Sequence, residues 1–177
     1  MIYYDHIESP CGRMLLVARD DALIGVYFEG QKYDSPVQPE WIRDPDHHVV
    51  RQTRAELTEY FAGARKRFDV ALAAEGTSFQ KAVWTAISTV PFGTTITYAE
   101  LARRAGVPGS ARAAGAATGR NPLTIIVPCH RIVGSNGALT GYAGGLDRKR
   151  ALLALESDAP DLLTGLLPSA DRSRVAA

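Results

Sequence analysis

An α+β fold is what the 177-residue sequence predicts, and three observations carry that expectation. Residues 1–30 hold short apolar-rich runs broken by turn residues, which is the pattern of a strand meander. Apolar residues then recur at helical spacing around 50–61 and again at 79–87. Beyond residue 97, short helical segments are punctuated by glycine and proline. The expected architecture is an antiparallel three-stranded sheet with a helix, followed by an all-α half that contains a helix-turn-helix.

Each element has its own local reason. Ile2 to Ile7, a turn at Ser9-Pro10-Cys11-Gly12, Met14 to Ala18 and, after Asp20-Asp21, Leu23 to Phe28 make a strand meander. Gly30 to His47 holds Pro36, Pro39 and Pro45 among scattered charges and reads as a loop. Val50, Leu57, Tyr60 and Phe61 put one helix face on the sheet, up to Gly63. Phe68 to Leu72 can add a strand, and Ala73-Ala74-Glu75-Gly76 reads as a linker. The expected domains are therefore 1–76 and 77–160, with 161–177 a loose or disordered tail.

In the second half, Ser78 can cap a helix bearing Phe79, Val83, Trp84 and Ile87, ended by Val90-Pro91-Phe92-Gly93. Thr97-Tyr98-Ala99-Glu100 fits a capping box opening a short helix to Ala105, with Gly106 as its stop. A second short helix follows Gly109-Ser110, runs from Ala111 to Thr118 and ends before Asn121-Pro122, which completes a helix-turn-helix candidate. Leu123 to Val127 reads as a strand ended by Pro128. A glycine-rich loop, Gly134 to Gly145, then leads into a helix from about Asp147 through Glu156.

With 46% apolar and 22% charged residues, the composition is that of an ordinary globular protein. No apolar run approaches the roughly 20 residues that span a bilayer, and no secretory signal is visible, so a cytoplasmic protein with no membrane partner is expected. In that compartment Cys11 and Cys129 stay reduced. The net charge of +1 hides an asymmetry. Residues 1–77 carry 9 Lys and Arg against 13 Asp and Glu, net −4, whereas residues 78–177 carry 11 against 6, net +5. A basic half invites a polyanionic partner, although such charge is more commonly a solvated face.

Cys129 is the candidate nucleophile. It follows an apolar run and Pro128, with His130 and Arg131 beside it, and thiolate character rises near positive charge. Most free cysteines are simply small buried hydrophobes, so the chemistry needs a carboxylate to orient a base. Glu156 supplies one: four residues after Leu152 and three after Leu153, it projects from an apolar helix face at the helix end the dipole makes unfavourable for an anion. His130 is its natural partner, and a frayed exposed helix end is the alternative. The Ala111–Thr118 helix carries Arg112 and otherwise almost only Ala and Gly. It suits tight core packing and close approach to a phosphate backbone equally well.

The block Pro128-Cys129-His130-Arg131, with Asn121-Pro122 upstream, Thr140-Gly141-Tyr142-Ala143-Gly144-Gly145 downstream and Leu152-Leu153-Ala154-Leu155-Glu156 beyond, closely resembles the O6-alkylguanine-DNA alkyltransferases. The resemblance runs from Ser78 to Glu156 and extends more weakly into the first half, through Ser-Pro-Cys-Gly and Phe-Asp-Val. It implies a ribonuclease-H-like first domain and a winged-helix-like second one. It implies a DNA repair protein that moves the alkyl group of O6-alkylguanine, and of O4-alkylthymine, irreversibly onto Cys129 in one turnover after nucleotide flipping.

The implied roles follow residue by residue. His130 acts through a water as base for the thiol, Glu156 holds His130, and Asn121 braces the turn. Tyr98 donates to guanine N3, which eases departure of a poor leaving group. Arg112 fills the gap left by the extruded nucleotide. Ala111, Ala113, Gly115, Thr95 and Arg120 join Tyr98 and Arg112 in contacting DNA. Tyr142, Ala143, Gly144, Ile132 and Lys149 line the pocket, where Ala143 stands in place of a hydroxyl residue found in some relatives. The partner is double-stranded DNA bound through the minor groove without sequence preference, by a monomer, with cooperativity left open. No cofactor is expected, and no metal, since His6, Cys11, His47 and His48 do not match the zinc ligands of some relatives. Two rival readings are a Cys-His thiol hydrolase and a helix-turn-helix regulator. Against the second stands the shortage of base-reading side chains on the Ala-rich helix.

Overall fold

Short apolar-rich runs separated by turns build three strands in the computed structural model, which describes residues 1–157. β1 (Ile2–Ile7), β2 (Met14–Arg19) and β3 (Ala22–Phe28) form an antiparallel meander. Residues Met14 to Ala18 of β2 are buried on both faces. α1 (His48–Phe61) covers one face with Val49, Val50, Thr53, Leu57 and Tyr60. On the other, Leu15, His6 and Tyr27 face Asp34 to Val37 of the proline-containing loop. The tail expected at 161–177 lies outside the described residues.

The sheet has four strands, not three, in the order β3-β2-β1-β4. β4 (Ile42–Arg43) lies inside the segment read as loop and runs parallel to β1. Its anchor is electrostatic: buried Asp5 accepts from Arg43 Nε at 2.9 Å and also pairs with Arg54 of α1. Phe68 to Leu72 is not a strand. Leu72 makes one isolated bridge to Leu23, and the N–H groups of Asp69 and Val70 donate to Glu56 Oε2 at 2.9 and 3.3 Å instead of to a ladder.

α2 (Ser78–Ser88) is capped by Thr77, one residue earlier than expected. Thr77 Oγ1 accepts from Gln80 N at 3.1 Å, and Gln80 Oε1 accepts from Thr77 N at 3.0 Å. Ser78 cannot close such a box, because Lys81, three residues on, offers no acceptor. α3 (Tyr98–Arg104) has its cap at Thr97, which accepts from Glu100 N at 3.2 Å. Only half of the expected box forms, since the Glu100 carboxylate turns to Arg103 and Arg104. α4 (Ala111–Gly119) follows, and Trp84 Nε1 of α2 donates to its Ala117 carbonyl at 2.8 Å.

The second half is not all-α. β5 (Ile96–Thr97) and β6 (Ile132–Val133) pair in parallel, Ile96 against Ile132. Leu123 to Val127 is not a strand but a turn closed by Val127 N donating to Leu123 O at 2.9 Å. It hangs on the outer edge of β3, where Val26 N donates to Pro122 O at 2.8 Å and Thr124 N to Val26 O at 3.1 Å. A single 3-10 turn, Cys129–Arg131, precedes β6, and α5 (Leu146–Glu156) closes the fold. Among the described residues no helix is long and apolar enough to cross a membrane.

Because Thr77 is exposed and acts only through the capping box, Thr77→Ala is expected to lower stability by about 1 kcal/mol. Urea unfolding of the two proteins checks this, with a lower midpoint at unchanged slope as the expected outcome.

Candidate active site

The thiol is held at the end of a turn that Asn121 ties together. α4 stops at Arg120, and the buried Asn121 side chain then spans the following segment. Its Nδ2 donates to Val127 O at 2.9 Å and to Cys129 Sγ at 3.3 Å, while its Oδ1 accepts from Leu123 N at 2.9 Å. Within this turn Ile125 has φ 72°, a left-handed conformation costly for a β-branched residue. Strain of roughly 1–3 kcal/mol of this kind persists only where the surroundings over-determine it. Asn121 and the β3 edge do so. Pro128 then hands over to the 3-10 turn, leaving Cys129 only 5% exposed. Burial pushes its thiol pKa up, and the Asn121 hydrogen bond and the Lys149 charge draw it partly back.

Behind the thiol lies a fully buried ionic cluster. His130 Nε2 is 2.6 Å from Glu156 Oε1, at the last residue of α5. Arg131 grips the same carboxylate with two donors, Nε to Oε2 at 2.8 Å and Nη2 to Oε1 at 2.9 Å, and its Nη1 donates to Val90 O at 2.7 Å. Tyr60 of α1 donates its hydroxyl to Glu156 Oε1 at 2.7 Å. Burial would raise the Glu156 pKa, but the hydrogen bonds from His130 and Arg131 and the charge of Arg131 outweigh it and hold the carboxyl at about 2. Burial lowers the His130 pKa despite Glu156, so the ring is neutral at rest. With Nε2–H donated to Glu156, Nδ1 carries the free lone pair and has no partner among protein atoms.

A pocket wall completes the site. Lys149 is fully buried and donates to the carbonyls of Ile132, Thr140 and Gly141 at 2.6, 3.0 and 3.2 Å. Desolvation lowers its pKa to about 8. The Tyr98 hydroxyl donates to Thr140 O at 3.1 Å. The Tyr142 hydroxyl is buried near the sulfur without an ordinary hydrogen bond. Gly144 has no room for a side chain, since a Cβ there would lie 2.9 Å from Tyr142 and 3.1 Å from Phe28. Ala143 receives the Lys32 N–H on its carbonyl at 2.9 Å.

The structure thus gathers Cys129, His130, Glu156, Asn121, Tyr98, Tyr142, Ala143, Gly144, Ile132 and Lys149. It sets Thr95, Arg112 and Ala113 on the exposed surface, with Ala111 and Gly115 half-buried on α4. Arg120 is exposed with its guanidinium 3.7 Å over the Tyr33 ring. Arg131, read as a cation beside the sulfur, instead turns to Glu156. Tyr60, read as a core position, is a partner of the cluster. A fully buried tyrosine hydroxyl needs an acceptor, and that was the available signal. His47 stacks on Tyr3 and His48 pairs with Asp21. Among the described residues no group of three or more His, Cys, Asp or Glu stands together to hold a metal.

The arrangement has close counterparts. The family model described as 6-O-methylguanine DNA methyltransferase, DNA binding domain, matches residues 78–158, and the one described as 6-O-methylguanine DNA methyltransferase, ribonuclease-like domain, matches residues 2–74. The chain is 48% identical over 155 residues to the methylated-DNA--protein-cysteine methyltransferase of Methanosarcina acetivorans, covering 88% of this chain and 98% of that one. It is 47% identical over 165 residues to that of Mycobacterium tuberculosis strain H37Rv, covering 93% and 98%. The crystal structure of Mycobacterium tuberculosis OGT in complex with DNA superposes with a TM-score of 0.82 at 43% identity, over 89% of this chain and 94% of that one.

The buried cluster sets the response to acid. His130 titrates below its ordinary 6.5 and Glu156 at about 2 against an ordinary 4.5, so on acidification the unfolded chain takes up these protons first. The contribution of His130 and Glu156 to stability is expected to be full above pH 6.5, to fall below it as His130 titrates, and to fall further between 4.5 and about 2 as Glu156 does. Urea midpoints across that range measure it. Glu156→Ala strands the buried Arg131 charge and is expected to destabilise the protein by about 3–5 kcal/mol at neutral pH.

Proposed function

The chain belongs to the 6-O-methylguanine DNA methyltransferase family, and from that premise we propose that it repairs DNA by transferring the O6-alkyl group of guanine to its own Cys129. The observation that carries this reading is the sulfur on Asn121 in the same 3-10 turn as a neutral histidine locked on an ionised carboxylate. The thiol proton passes through a water to His130 Nδ1. Sulfur attacks the alkyl carbon in line, the C–O6 bond breaks as the C–S bond forms, and the electron pair leaves on the guanine. Glu156 stabilises the imidazolium so formed. The thioether product offers no leaving group that water or another thiol can displace, so each molecule reacts once.

Tyr98, released from Thr140 O, would donate to guanine N3. Ala143 N–H and the Tyr142 side chain would face O6, and the carbonyls of Cys129 and Ile132 would accept from the exocyclic amine, using the second lone pair of an Ile132 oxygen already bonded to Lys149. The same transfer is proposed for O4-alkylthymine. The reacting carbon is unreachable inside a duplex, so the nucleotide must be extruded. Arg112, exposed on α4 among alanines, suits the vacated place in the stack, with Ala111, Ala113, Gly115, Thr95 and Arg120 along the minor groove. The remaining elements of the reading are a monomer in the cytoplasm, a ribonuclease-H-like domain at 1–76 and a winged-helix-like domain at 77–160.

Incubation with a duplex carrying O6-methylguanine, followed by intact and peptide mass measurement, tests the reading. One added methyl on the Cys129 peptide, absent from Cys129→Ala, is the expected result; repeated turnover or no transfer overturns it. Arg112→Ala is expected to slow transfer roughly ten-fold or more, because a few kcal/mol of unstacking is then uncompensated.

A further inference from the structure

Glu156 Oε1 carries three donors: His130 Nε2 at 2.6 Å, Tyr60 Oη at 2.7 Å and Arg131 Nη2 at 2.9 Å. The mechanism above uses the first and has an evident charge-balancing use for the third, but it leaves Tyr60 without a part. Tyr60 comes from α1, 96 residues away in sequence, and its side chain is fully buried. Phe61, Phe68 and Phe92 surround its ring at centroid distances of 5.4, 5.5 and 6.2 Å, and Phe92 also lies 5.7 Å from the Arg131 guanidinium. The hydroxyl therefore has one direction in which to donate. It meets the same oxygen on which His130 rests.

We infer that Tyr60 is a positioning residue of the transfer site, through which the amino-terminal half fixes the Glu156 carboxylate and limits how much of its charge reaches His130. The inference rests on the alkyl-transfer reading. Burial and the Glu156 charge push the Tyr60 pKa well above its ordinary 10, so the hydroxyl stays a donor throughout the working range. Without it, Oε1 is more negative and His130 holds a proton more tightly. A protonated His130 cannot accept the thiol proton, so the acid limb of the rate profile must move to higher pH. The other titratable or charged groups facing His130 and Tyr60 are Arg131, Lys149, Cys11 and Tyr142. All four remain in place when only the Tyr60 hydroxyl is changed.

The test compares the full chain with Tyr60→Phe in single-turnover methyl transfer across pH, alongside an NMR titration of the His130 ring. Expected is an acid limb and a His130 midpoint displaced upward by about half a unit or more, which makes transfer on the acid side of the limb roughly three-fold slower relative to the plateau. Replacing Tyr60 by 3-fluorotyrosine, a stronger donor of nearly the same shape, is expected to displace both downward and keeps the question open to measurement if Tyr60→Phe folds poorly. Val50→Ala loosens the same helix without touching Glu156 and is expected to leave limb and midpoint where they are. The inference is overturned if the Tyr60 variants change stability alone, or if Val50→Ala moves limb and midpoint as far. Absence of methyl transfer by the unaltered chain instead defeats the alkyl-transfer reading, and the His130 titration then still decides for or against Tyr60.

Discussion

An ionised carboxylate persists inside a protein only where donors replace the water it has lost, and the parts of the fold around Glu156 answer to that demand. Glu156 ends α5, where the helix dipole works against its charge. Arg131 is fixed on it by two donors and ties the 3-10 turn to the carbonyl of Val90, just beyond α2. Tyr60 brings α1 to the same point. Three separate segments thus meet on one side chain, with the Val90 carbonyl tied in through Arg131, and burial leaves His130 uncharged in the resting cluster. A neutral histidine is the state a general base requires.

The same burial keeps the thiol quiet until a substrate arrives. Cys129 is shielded and its pKa raised, so it is not a generally reactive cysteine despite the cations in its sequence neighbourhood. Cys11 makes the contrast: it too is buried, with its pKa raised to about 11, but its sequence neighbours are Pro10 and Gly12 rather than a histidine. Burial raises the pKa of both thiols. The difference is the neighbouring histidine, with a free nitrogen and a carboxylate behind it.

Periodicity and punctuation made the long elements legible. The three strands of the meander, α1 and the two short helices about Gly106 could be read because residues within each segment bury a face of their own. The two-residue pairings β4 with β1 and β5 with β6 could not, since tertiary contacts such as Arg43 on Asp5 create them. The apolar run from Leu123 to Val127 misled for a related reason. Its composition is that of a strand, yet Asn121 and the β3 edge bend it through Ile125. In the site, Glu156 was legible from its place on a helical wheel. Arg131 was legible only as a charge, because sequence gives no direction to a long flexible side chain.

The Ala-rich helix α4 resolves a choice that its sequence left even. Ala114 and Ala117 are buried, and their small size lets α2 come close enough for Trp84 to donate to the Ala117 carbonyl. Arg112, Ala113 and Ala116 stand on the exposed side. Tight core packing and a bare outer surface are therefore properties of opposite faces of one helix. On the alkyl-transfer reading this division has a consequence for specificity. The outer face offers almost no side chains able to read base edges, while its single long cation can act wherever a damaged base leaves the stack. Selectivity then has to come from the pocket behind Cys129, where the lesion is met, rather than from the surrounding sequence.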